Sequence, residues 1–337
     1  MIADPTLGLA WLLLAHLVAD FVLQTGRMAR SKSANGGRAA GGLLAHGAVV
    51  ALCLVPAGFA FGGPGWLTLA VVGLSHVVID RAKVVLTTRA EAAALAEARR
   101  RHEATGADDA GLGPAWTPLP AALFALDQLV HLAILGSAWF AWLAAAPLEP
   151  GFRDAAAGWL VAWDPAAVHD ALVRVVVVAA LVIVNVRAGA LFVAVLVGPR
   201  LAQAHGSATG DAAPTNTGET APARRGGWTL RLGPLTGRVD ADPEPAAATP
   251  AHAAQTPARP ARVGEAIGIL ERLLIVTFVL AGAEAAIGLV IAAKTLARFR
   301  QLDDRDFAEY YLLGTLASVA VAAISAFIAA GVLDSLG

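Results

Sequence analysis

Cysteine is nearly absent from this chain, with one residue, Cys53, in 337. A single thiol excludes an internal disulfide framework and any zinc motif built on paired cysteines. Charge is scarce too. Asp, Glu, Lys and Arg make up 15% of the residues, where a globular domain has about a quarter. No glycine-rich phosphate loop, no Gly-x-Ser-x-Gly and no His-Glu-x-x-His occurs, so those enzyme classes lose support. The net charge of -1 gives no sign of nucleic-acid binding, because the positive charges fall in loops between apolar runs. A basic leader is missing as well. Asp4 stands where a signal peptide would be basic, and His16 and Asp20 would be odd in a discarded apolar region, so the first run is expected to be kept.

What fills the chain is apolar sequence. Hydrophobic residues reach 57% and the mean hydropathy is +0.63. Several runs match the roughly 20 residues a helix needs to cross hydrocarbon. The reading is an all-α polytopic transmembrane bundle of seven or eight spans, embedded in lipid, with a disordered central linker. Residues 1–146 form a four-span bundle, with spans at about 7–23, 42–61, 66–86 and 120–146. The second and third are joined as a hairpin by Gly62-Gly63-Pro64-Gly65. A charged helix is expected over 88–112. Residues 147–198 hold an acidic loop and a fifth span interrupted by Asn185 and Arg187, read either as one long tilted span or as a span plus an interfacial helix. Residues 199–262 are rich in Pro, Ala, Thr and Gly without apolar period, which predicts disorder. Residues 263–337 return to membrane helices.

Lys and Arg mark the cytoplasmic loops. The basic loops 24–41 and 81–119 and the linker then lie inside, and the N-terminus lies outside. Keeping the basic loop 294–308 inside requires a break near Gly282-Ala283-Glu284, which favours eight spans over seven. The expected location is a bacterial inner membrane.

Within the first four spans one spacing recurs. His16 and Asp20 are four residues apart, as are His76 and Asp80 and, reversed, Asp127 and His131. Positions i and i+4 share a helix face, and Gln24 continues the first stripe. Antiparallel helices rising about 1.5 Å per residue bring these groups and His46 to one level, toward the inner leaflet. Ionisable groups at such depth need partners or a task. Three accounts compete. The first is a metal site holding one or two ions, with zinc, manganese or iron liganded by His16, Asp20, His46, His76, Asp80, Asp127 and His131. There Asp20, Asp80 or Asp127 would be catalytic, and the substrate of a hydrolase would be an anionic or lipid-like molecule drawn by Lys32, Arg81 and Lys83. Gln24, Lys32, Lys83 and Gln128 would support the ligands from behind. The second is a proton or ion pathway in a transporter. The third is a scaffold whose polar pairs only hold helices together.

These motifs carry a resemblance. His16-x-x-x-Asp20-Phe21-x-Leu23-Gln24, Lys32, Leu43-Leu44-Ala45-His46-Gly47, His76-x-x-x-Asp80-x-x-Lys83 and Leu126-Asp127-Gln128-x-x-His131 resemble the bacterial membrane proteins of domain-of-unknown-function family 3307. The resemblance covers about 7–140. Gly268-Ile269-Leu270-Glu271-Arg272 and Glu309-Tyr310-x-x-x-Gly314-Thr315 resemble the C-terminal half of longer members. The resemblance implies an integral membrane protein and supplies no reaction.

Overall fold

A computed structural model describes residues 5–34, 36–105, 117–160, 163–208, 227–232, 235–240 and 258–335. Helix α1 (Pro5–Leu17) passes into a π-helical turn, Val18–Leu23. A short α2 (Gly26–Lys32) follows, capped by Thr25 Oγ1, which accepts from the Met28 amide at 3.3 Å. Then come α3 (Gly37–Phe61) and α4 (Gly63–Thr105). Helix α4 joins the third apolar segment to the charged helix expected after it. No glycine or proline occurs between residues 74 and 105 to break it. The end of that charged stretch, 106–112, lies outside the described residues.

Helix α5 (Leu119–Ala138) ends in a second π-helical turn, Trp139–Leu143. After α6 (Pro150–Leu160), Asp164 caps α7 (Pro165–Ile183), accepting from the Ala167 amide at 3.2 Å. A third π-helical turn, Val184–Ala188, joins α7 to α8 (Gly189–Ala208), so the fifth segment is one helical run. Of the expected linker, 209–226 and 241–257 lie outside the described residues. Between them β1 (Gly227–Leu232) pairs antiparallel with β2 (Leu235–Asp240). Helices α9 (Ala258–Leu280), α10 (Ala285–Arg298) and α11 (Arg305–Asp334) complete the chain. The break between α9 and α10 falls where the loop charges required it, at Gly282 with φ +65°.

Five stretches are long and apolar enough to cross a membrane: Thr6–Leu23, Gly37–Phe61, Leu119–Leu143, Ala166–Gly198 and Phe307–Asp334. The seven or eight spans read from the sequence are not reached by this measure. The 14 residues of α10 extend about 21 Å, short of the roughly 30 Å hydrocarbon core. Helix α9 carries Glu265, Glu271 and Arg272 within its apolar run.

Small residues set the α3–α4 hairpin. Gly62 turns the chain at φ +60°, and its amide donates to the Gly58 carbonyl at 2.9 Å. A Cβ at Gly58 would lie 2.6 Å from the Trp66 ring, one at Gly47 2.6 Å from Val77 Cγ2, and one at Gly65 would overlap the Ala57 carbonyl oxygen. Such close approach is how helices associate where lipid removes the hydrophobic drive. Gly65→Ala is therefore expected to force the helices apart. Its cost should be about 1–3 kcal/mol or more, seen as a lower unfolding midpoint in detergent. An unchanged midpoint would contradict the packing described here.

Two cores result. One gathers Leu12, Val50, Leu54, Val72, Leu135 and Leu143 between α1, α3, α4 and α5. The other gathers Leu181, Ile275, Val279, Ala322 and Ala326 between α7, α9 and α11. Helices α7 and α8 lie between the two parts, packing on α1 and α5 on one side and on α11 on the other. In the second part Arg272 does not reach for an interface as a snorkelling residue would. It is 3% exposed, and its Nε donates to the Asn185 carbonyl at 2.6 Å while Nη1 donates to Ser318 Oγ at 3.2 Å. That carbonyl lies in the π-helical turn Val184–Ala188. An ion pair between Lys294 and Glu271 at 2.6 Å joins α10 to α9.

Candidate functional site

Each helix of the first part carries one inward stripe that is apolar at one end and polar at the other. On α1 it runs Leu12, His16, Asp20; on α4, Thr68, Val72, His76, Asp80. On α3 it runs His46, Val50, Leu54, and on α5 Asp127, His131, Leu135. The order reverses on α3 and α5. Because neighbouring helices are antiparallel, all the polar ends meet. His16, Asp20, His46, His76, Asp80, Asp127 and His131 are all buried, and the dry core closes the opposite end.

One contact joins three helices. His46 Nε2 and His76 Nε2 lie 2.9 Å apart, and each is 3.3 Å from Asp20 Oδ1. His131 stacks against His76 with ring centroids 4.1 Å apart and against His16 at 5.3 Å. Neither ring nitrogen of His131 has a hydrogen-bond partner, although the residue is 5% exposed. Buried polar atoms rarely stay unpaired.

Gln128 ties this cluster together. Its amide nitrogen donates to Asp20 Oδ2 at 3.3 Å and to Asp127 Oδ2 at 3.0 Å, and its oxygen faces His16 Nε2 at 3.3 Å. Below it lies an ion network. Lys83 Nζ sits 2.8 Å from Asp127 Oδ2 and 3.0 Å from Asp80 Oδ1. Lys32 Nζ pairs with Asp80 Oδ2 and donates to Gln24 Oε1 at 2.9 Å. Two carboxylates thus face two ammonium groups, which offsets the cost of burying them.

Burial pulls the Lys32 ammonium below its ordinary pKa, against the opposing pull of Asp80. Lys32, expected both to draw an anionic substrate and to support the ligands, is 3% exposed and lies inside the site. A lysine in a basic loop gives no sign of such depth. Only the turn of α2 carries it inward.

Sequence reasoning also passed over Arg187 as a tie between the two parts. Its Nε donates to the Phe21 carbonyl at 3.1 Å, on the π-helical turn that holds Asp20. Interruption of the fifth segment by Asn185 and Arg187 was the available signal.

Two groups of three buried donors have the spacing of metal ligands: Asp20 with His46 and His76, and His16 with Asp20 and His131. Asp80 and Asp127 belong to neither group: both Asp80 oxygens face lysines, and Asp127 faces Lys83 with Oδ2 and His131 with Oδ1.

Residues 9–148 match the family model described as "Protein of unknown function (DUF3307)". This stretch is similar to that family, and the rest of the chain lies outside the match. No curated protein and no solved structure matches the chain. The DUF3307 match covers α1 to α5 and every residue of the His/Asp cluster. It ends before α6, so the C-terminal motifs expected to resemble longer members lie outside it.

Proposed function

We propose that the chain is a metal-dependent hydrolase of the bacterial inner membrane, its divalent ion held by the DUF3307-like stretch and its substrate an anionic molecule at the cytoplasmic leaflet. The observation that carries this is the triangle of Asp20 Oδ1, His46 Nε2 and His76 Nε2, with edges of 2.9, 3.3 and 3.3 Å. Metal–ligand bonds of 2.0–2.1 Å in a tetrahedron set the ligands about 3.3 Å apart. Two imidazole nitrogens and a carboxylate also suit zinc, manganese or iron. Such an ion supplies a water of lowered pKa and polarises the bond to be cleaved. This chain's own residues do the rest. Gln128 holds Asp20 and His16 in orientation, and the Lys83 pair keeps Asp127 beside His131.

The anionic substrate is supported by the surface at the polar end. A depression lined by Thr25, Arg27, Ser31 and Arg38 lies beside α2 and α3, and another is lined by Leu43, Val77 and Arg81. A transporter reading draws on the continuous polar chain from Lys32 to His131. Against it stands the apolar core of Leu12, Leu54, Val72 and Leu135, which closes the far end and leaves a one-sided site.

The test uses the full chain in detergent, stripped by a chelator and reloaded separately with zinc, manganese or iron. Hydrolysis of bis(p-nitrophenyl) phosphate and of a short-chain phospholipid should appear only on reloading, and Asp20→Asn should abolish it. A metal-loaded protein that cleaves neither would overturn the hydrolase. A protein that retains no metal would overturn the centre itself.

A further inference from the structure

We infer that the centre takes two divalent cations, with the Asp20 carboxylate shared between them. This rests on the metal reading above and deepens it. The donors divide into two buried groups of three, Asp20–His46–His76 and His16–Asp20–His131, whose ligating atoms lie within 4.8 Å of one another in each group. Asp20 is the sole member common to both, and a carboxylate has two oxygens with which to bridge. Each group offers three protein ligands, the number that leaves a catalytic ion one position open.

The second group rests on more than its spacing. A single ion on His46 and His76 would leave His131 buried with both ring nitrogens unpartnered. Asp127 Oδ1 lies 3.6 Å from His131 Nδ1, on the side where a metal-bound imidazole meets its supporting carboxylate. Nε2 of His131 then remains for the ion. His16 is held the same way, with Gln128 on one ring nitrogen.

Charge sets the ligand class. Asp20, Asp80 and Asp127 against Lys32 and Lys83 leave one net negative charge, so two dications produce a strongly positive, water-poor centre. A phosphate ester fits it best, because paired ions stabilise both the attacking and the leaving oxygen of an in-line displacement.

The experiment titrates metal-free, full-length protein with manganese alone, followed by elemental analysis after desalting and by electron paramagnetic resonance. Two ions per chain and a spin-coupled multiline spectrum are expected. His131→Ala should bind one ion and give the six-line signal of isolated manganese, and His46→Ala should do the same through the other group. Asp20→Asn should abolish the coupling. His131→Gln, closer in volume, replaces His131→Ala if that variant does not remain monodisperse. One ion per chain at saturation, with a six-line signal that His131→Ala leaves unchanged, overturns the paired centre and leaves the single-ion reading intact. No bound ion overturns both.

Discussion

Asp80→Asn is expected to destabilise the protein by about 3–5 kcal/mol, the usual consequence of removing one partner from a buried ion pair. Asp80 is 2% exposed and is the carboxylate paired with Lys32, while Lys83 keeps Asp127. Asparagine would leave the buried Lys32 ammonium without its paired carboxylate, facing only neutral amide oxygens at positions 80 and 24. The loss should appear as a lower unfolding midpoint in detergent. Replacing both partners, Asp80→Leu with Lys32→Met, should recover much of it, since no charge then remains unmatched between α2 and α4. If Asp80→Asn unfolds at the wild-type midpoint, the network contributes no stability and the burial argument fails. This separates the roles of the three aspartates: Asp80 faces two lysines, Asp127 faces Lys83 with one oxygen and His131 with the other, and Asp20 faces His46 and His76.

The second large effect is on metal affinity. His46→Ala removes one corner of the Asp20–His46–His76 triangle and should weaken metal binding well beyond the 10–100-fold typical of outer-shell changes. Gln128→Leu should fall within that range, because Gln128 orients Asp20 and His16 without belonging to either donor group. His169→Ala, on α7 and beside Asp170, is the control and should leave affinity unchanged. Competition with a chelating dye reads all three. Equal affinities for His46→Ala and His169→Ala would remove His46 from the centre.

The positions of the acids and histidines were legible because a helix repeats every four residues and lipid makes each intramembrane charge conspicuous. His16–Asp20, His76–Asp80 and Asp127–His131 announce inward faces in otherwise apolar runs, and the alternating direction of the helices aligns them. The turn at Gly62 and the break at Gly282 were legible for a similar reason, since each interrupts an apolar run with residues suited to positive φ. What each oxygen faces was not legible. Lys32 reaches Asp80 only because α2 folds it beneath α3, and nothing local to residue 32 encodes that. The π-helical turns also escaped. They carry the carbonyls of Phe21 and Asn185, which accept from Arg187 and Arg272 across 166 and 87 positions of sequence. The count of seven or eight spans is not confirmed: five stretches qualify by length and composition, α4 and α9 supply none of them, and α10 has only 14 residues.

X-ray absorption at the zinc edge of untagged, full-length protein reloaded with zinc tests the account's central claim most directly. The predicted spectrum has a first shell of nitrogen and oxygen at about 2.0–2.1 Å with imidazole outer-shell scattering, both weakened in His46→Ala. A spectrum without imidazole scattering, or one that His46→Ala leaves unchanged, would contradict it.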